Sequence, residues 1–87
     1  MMEIQIGYIT HFYDRISVAV LALTDTLNIG DQVHITGHST DFTQDVTSME
    51  IEHEKVTSVG PGDEVALKVI EPAKKGDKIF KITPDTP

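Results

Sequence analysis

Gly30-Asp31-Gln32-Val33, Gly62-Asp63-Glu64-Val65 and Gly76-Asp77-Lys78-Ile79 repeat one four-residue phrase: glycine, aspartate, a polar residue, a β-branched residue. Each reads as a turn entering a strand. Glycine takes a positive φ at no steric cost, and aspartate accepts hydrogen bonds from nearby backbone N–H groups. The β-branched residue then starts the inward face. Pro61 sharpens the middle turn, since proline suits the first corner of a turn and glycine the second. The glycines are spaced by 32 and then 14 residues, too irregular for a solenoid.

The segments between the turns alternate with period two. Ile4, Ile6 and Tyr8 share one face of a first strand. Val18–Leu23 is apolar on both faces, which marks a central strand. Val33 and Ile35 point inward while His34 points out. Around Thr43–Glu54 the apolar phase slips between Val46 and Met49, the signature of a bulge or bend. Val65, Leu67 and Val69 alternate cleanly, and Ile79, Phe80 and Ile82 form a last strand with Lys78 and Lys81 outside. No stretch carries a helical stripe of useful length. The expectation is an all-β chain, a single closed antiparallel β-barrel of six to seven strands over residues 1–87. A barrel also removes the exposed edges that a small sheet must otherwise blunt.

At 87 residues and 9.6 kDa there is room for one domain, which buries about 60% of its unfolded surface. Hydrophobic residues at 39% and charged residues at 24% match ordinary globular usage and argue against a disordered tail. No apolar run approaches the ~20 residues of a membrane-spanning helix, and Met1–Ile6 has no secretory pattern, so a cytoplasmic location is expected. The absence of cysteine excludes a disulfide framework, a zinc ribbon and a thiol nucleophile. Net charge is −7, split as −8 over residues 1–54 and +1 over 55–87, where Lys74, Lys75, Lys78 and Lys81 gather. Phosphate is repelled at long range by such a chain, which disfavours unspecific nucleic-acid binding, although a lysine face can still meet RNA locally.

The order Gly7, apolar Ile16–Leu23, then Leu27-Asn28-Ile29-Gly30-Asp31-Gln32-Val33-His34-Ile35 resembles domain 2 of the elongation factor Tu type of translation GTPases. So do Val46-Thr47-Ser48-Met49, Val56-Thr57-Ser58-Val59, Gly60–Leu67 and Lys75-Gly76-Asp77. The likeness runs over roughly residues 4–82 and implies a β-barrel of that type. The chain is also similar to small stand-alone elongation factor-like proteins, which share Thr10–Tyr13 and Gly37–Phe42, and to the barrel appended to collagenase-like peptidases. Where elongation factors carry a Gly-Arg-Gly-X-Val turn, this chain has His11-Phe12-Tyr13-Asp14-Arg15, which removes the basis for acceptor-end tRNA binding. Nothing matches the phosphate-cradling G-x-x-x-x-G-K-[ST] loop, so neither GTP binding nor GTPase activity is expected.

Catalytic chemistry finds no footing. There is no Gly-x-Ser-x-Gly elbow to present a nucleophile, and no cofactor is implied. His38, Asp41 and Asp45 are near enough in sequence to suggest a small metal or ligand binder. Zinc, however, needs three or four converging ligands, and no HxH or HExxH pairing provides them. Glu50, Glu52 and Glu54 alternate and would share one solvated strand face. The binding residues expected are His11, Phe12, Tyr13 and Arg15, at the turn after the first strand, with His38, Asp41 and Phe42 on the loop after the third. Three rings and a cation at a turn fit an interaction surface; the alternative is a plug over the barrel mouth. The function expected is a non-catalytic binding module acting on a protein or RNA partner near translation, as a monomer or weak dimer without membrane contact. A second expectation is an accessory barrel for a separate peptidase-like or RNA-modifying enzyme.

Overall fold

The computed structural model describes residues 2–83. It is all-β, without helix among those residues. Ten strands follow in order: β1 Met2–Tyr13, β2 Val18–Leu23, β3 Leu27–Asn28, β4 Gln32–Thr36, β5 Asp41–Asp45, β6 Met49–Ile51, β7 Glu54–Val56, β8 Ser58–Val59, β9 Glu64–Lys68 and β10 Lys78–Thr83. Eight form one antiparallel sheet in the order β5-β4-β10-β1-β2-β9-β6-β7, and β3 pairs with β8.

The three Gly-Asp turns form as the sequence requires. Gly30, Gly62 and Gly76 have φ of 95°, 88° and 93°. In each turn the aspartate N–H donates to the carbonyl three residues back, at 3.1, 3.0 and 3.0 Å. Each aspartate Oδ2 then accepts the N–H of that same residue, from Asn28, Gly60 and Lys74, at 2.9, 2.9 and 2.8 Å. The carboxylate thus satisfies a backbone donor that the turn leaves free. Val33, Val65 and Ile79, which follow, are fully buried.

One core runs through the curled sheet, built on Ile6, Ile9, Leu21, Ile35, Leu67 and their neighbours. The β3–β8 pair lays Leu27 and Val59 over one end of it. Strand β1 departs from simple alternation. Ile6 and Ile9 point inward while Ile4 and Tyr8 stay exposed, because the register slips between Gln5 and Gly7 against β10, and between Ile9 and His11 against β2. Gly7 lies against the Ala22 carbonyl so closely that a Cβ would collide with backbone.

The ladder does not close. Among the described residues β5 and β7 are its ends, so the sheet is open, with more and shorter strands, and the expected six- to seven-stranded closure is not seen in the ladder. The reason lies at residues 46–48, where the slip between Val46 and Met49 breaks one long strand into β5 and β6. The chain nevertheless passes from one end of the ladder to a strand paired with β9 within those three residues. Buried Gln44 spans the remaining seam: Nε2 donates to the Lys68 carbonyl and Oε1 accepts the Ile70 N–H, both at 2.8 Å.

The expected glutamate row also breaks. Ile51 pairs with Glu54 across a two-residue turn, Glu52-His53, whose φ values are 50° and 67°. Two positive φ angles are the mark of a type I′ hairpin, which normally uses Asn-Gly. Without that dipeptide the sequence carried no hairpin signal here.

Candidate functional site

Strand β2 buries Ala19, Leu21 and Leu23, and its outward Val18, Val20 and Ala22 are still apolar. A sheet wet on its outer side would place polar residues there. Val20 stands opposite Ala66 of β9, which stands opposite Glu50 of β6, so the three strands make a floor that is apolar on one side and acidic on the other. Two turns rise beside it. The β1–β2 turn contributes Tyr13 and Ile16, which are 49% and 56% exposed. The β6–β7 hairpin contributes Ile51, Glu52 and His53. Between them lies an open groove of about 920 Å³.

The groove is predominantly acidic. Glu50, Glu52, Asp63 and Glu64 line it, and Lys68 is the cation among its lining residues. The Lys68 ammonium already donates to the Ile16 carbonyl at 2.7 Å, which ties the β1–β2 turn to β9. Ser17, Glu52 and His53, the non-glycine residues with positive φ among the described residues, all sit in the two flanking turns. Such backbone costs about 1–3 kcal/mol per residue and collects where a surface is shaped for use.

The residues expected to bind fall into separate places. His11, Phe12 and Tyr13 do not form the turn; they are the last residues of β1, paired with Val20, Ala19 and Val18, and Asp14–Ser17 turn instead. Phe12 packs partly buried against the core, while His11, Tyr13 and Arg15 are exposed. The His11 and Tyr13 rings meet at a tilt of 52°, with centroids 4.2 Å apart. His38 lies in a second, smaller depression with Lys75 and Lys78. Phe42 is not a surface residue: it is inward on β5 and 7% exposed, as the alternation of Asp41, Phe42, Thr43 and Gln44 dictates. Of the expected set, Tyr13 alone lines the groove.

Asp41 has a partner that sequence reasoning missed. His34, read as merely outward, has Nδ1 2.8 Å from Glu3 Oε1 and Nε2 2.6 Å from Asp41 Oδ1. Both ring nitrogens therefore meet acceptors, which suits the doubly protonated imidazolium. The hydrogen bond that His34 donates to Glu3, then that to Asp41, raises the His34 pKa above its ordinary value. The partners are 31 and 7 residues away in sequence, so only the sheet brings them together. No group of three or more His, Asp or Glu side chains among the described residues is placed to hold a metal ion, and no helix is long and apolar enough to cross a membrane.

Fold and groove together define a small all-β module with an open, acidic groove of about 920 Å³. No protein-family model matches the chain. It is 34% identical over 79 residues to an uncharacterised protease of Methanocaldococcus jannaschii, a match that covers 90% of this chain and 19% of that protease. The chain thus spans about a fifth of the length of that relative. Its fold is shared with the C-terminal domain of a candidate U32 peptidase of Geobacillus thermoleovorans, at a TM-score of 0.85 and 20% identity, with 93% of each chain covered. The selenomethionine variant of that domain aligns at a TM-score of 0.81 and 19% identity, over 86% of this chain and 95% of the other. What the chain matches is a C-terminal domain and a fraction of a protease. These relatives are peptidase-related, and the elongation-factor likeness gains nothing from them.

Proposed function

We propose that the chain is a non-catalytic accessory module that works with a peptidase-like catalytic body, supplied by the same polypeptide or a separate one. The observation that carries this is the 79-residue alignment, which runs through nearly the whole chain yet occupies a fifth of a protease. Shared fold with a peptidase C-terminal domain supports it. The module's role is to present a rigid surface. In this reading the coiled sheet behaves as a barrel, sealed along one seam by the Gln44 amide rather than by a ladder. Its likeness to elongation-factor domain 2 is one of barrel shape, and the exposed His11, Tyr13 and Arg15 belong to the contact surface. A protein partner is favoured over RNA because the groove's carboxylates repel phosphate.

Co-expression tests the proposal. The tagged chain is produced with the peptidase-like chain of the same genome that is most similar to the body of the Methanocaldococcus protease, trimmed of any matching segment. Co-elution as a single species in size-exclusion chromatography is the expected result. Separate elution at every concentration tried would refute the accessory role.

A further inference from the structure

The groove has a chemistry of its own. Its floor is apolar at Val18, Val20 and Ala66, and Ile16 stands over it 56% exposed. Apolar surface of this kind is stabilised when a partner hides it from water. Its rim is the opposite of apolar: Glu50, Glu52 and Glu64 reach it with no arginine or lysine bridging to them among the described residues, and the one lining ammonium, Lys68, is held by the Ile16 carbonyl. Carboxylates gathered beside a low-dielectric wall reinforce one another and attract cations. The strand β2 below supplies no polar group that would suit water or an anion.

We propose that this groove is a docking site for a lysine- or arginine-bearing extended protein segment, with aliphatic side chains seated over Val20 and Ala66 and cationic side chains paired with Glu50, Glu52 and Glu64. The accessory reading is what identifies the owner of that segment as the peptidase-like body; the groove's preference for a basic, apolar strand stands on its own lining. Charge complementarity excludes an acidic peptide, and the apolar floor excludes a purely polar one. The segment is expected to lie extended, because a strand with side chains on alternate faces can set aliphatic groups on the apolar floor and cations toward the carboxylates.

The test uses fluorescein-labelled ten-residue peptides of alternating Lys and Val, of Glu and Val, and of Lys and Ser. Anisotropy and amide chemical-shift mapping are read on the intact chain. The Lys–Val peptide is expected to bind at least about tenfold more tightly than either of the others, with shifts at Ile16, Ile51 and Ala66. The Glu50→Gln, Glu64→Gln double variant, which keeps side-chain volume, is expected to weaken it about tenfold, while Glu3→Gln on the His34 side leaves it unchanged. Raising salt from about 50 mM to about 500 mM is expected to weaken it as well. Equal binding of the Glu–Val peptide, insensitivity to the double variant, or shifts confined to other surfaces would overturn the proposal. The two readings fail separately. A complex with the peptidase-like body that survives the double variant would sink the groove and spare the accessory role. Specific Lys–Val binding without any such complex would do the reverse.

Discussion

Replacing Gln44 by leucine is the sharpest test of how the sheet holds its curl. The side chain is 7% exposed and makes two backbone contacts, to the Lys68 carbonyl and the Ile70 N–H, at 2.8 Å each. Between those groups sits Val69, 2% exposed. Leucine fills the volume but removes two part-buried hydrogen bonds, each worth about 0.5–1.5 kcal/mol net. The loss in unfolding free energy is therefore expected to be about 1–3 kcal/mol, a sizeable part of the ~5–15 kcal/mol that a small domain possesses. Urea denaturation followed by circular dichroism measures it. Amide hydrogen exchange localises it: Ile70 is expected to be protected in the parent and to exchange freely in the variant. Gln44→Glu provides a second reading. It keeps the acceptor for Ile70 but turns an oxygen toward the Lys68 carbonyl, so its defect should shrink as acid protonates the carboxyl and restores a donor. A Gln44→Leu protein within about 0.5 kcal/mol of the parent, with Ile70 still protected, would refute the seam; that margin is the usual size of a surface effect.

Three further outcomes follow from the packing and the charges. Glu3 and Asp41 favour the protonated form of His34, and its folded pKa lies above the unfolded value near 6.5. Its contribution is thus fully present below that unfolded value and is lost as pH rises through the folded one; the stability gap between parent and His34→Phe, measured by thermal melts, should be wider at about pH 5.5 than at about pH 8.5. Ile35→Ala, at a fully buried position, should cost about 2–5 kcal/mol in the same urea assay through the cavity it leaves, and no loss would contradict the inward face of β4. Replacing Glu52-His53 by Asn-Gly relieves two positive φ angles and should raise stability by about 1 kcal/mol, whereas a loss would mean that the hairpin is not a type I′ turn.

The all-β class and the inward faces of β4, β9 and β10 were legible because local grammar dictates them: a Gly-Asp corner fixes the phase, and Val33, Val65 and Ile79 follow at a fixed offset. The doubly apolar Val18–Leu23 was legible as a central strand, and its outer face turned out to be the floor of the groove. Other features need long-range geometry. The seam across Gln44 spans 24 and 26 residues, and the His34 clamp spans 31, so neither leaves a periodic trace. Phe42 was drawn into the candidate surface because it adjoins a polar loop, yet its place in the alternation of β5 sends it inward. Phe12 and Tyr13 show the same rule dividing neighbours, one packed on the core and one in the groove.

Isothermal titration of the purified chain into the purified peptidase-like body, trimmed of any matching segment, measures the association itself. Saturable heat at one-to-one stoichiometry with a Kd of about 10 µM or tighter is expected. Absence of heat at concentrations well above that value would contradict the accessory role.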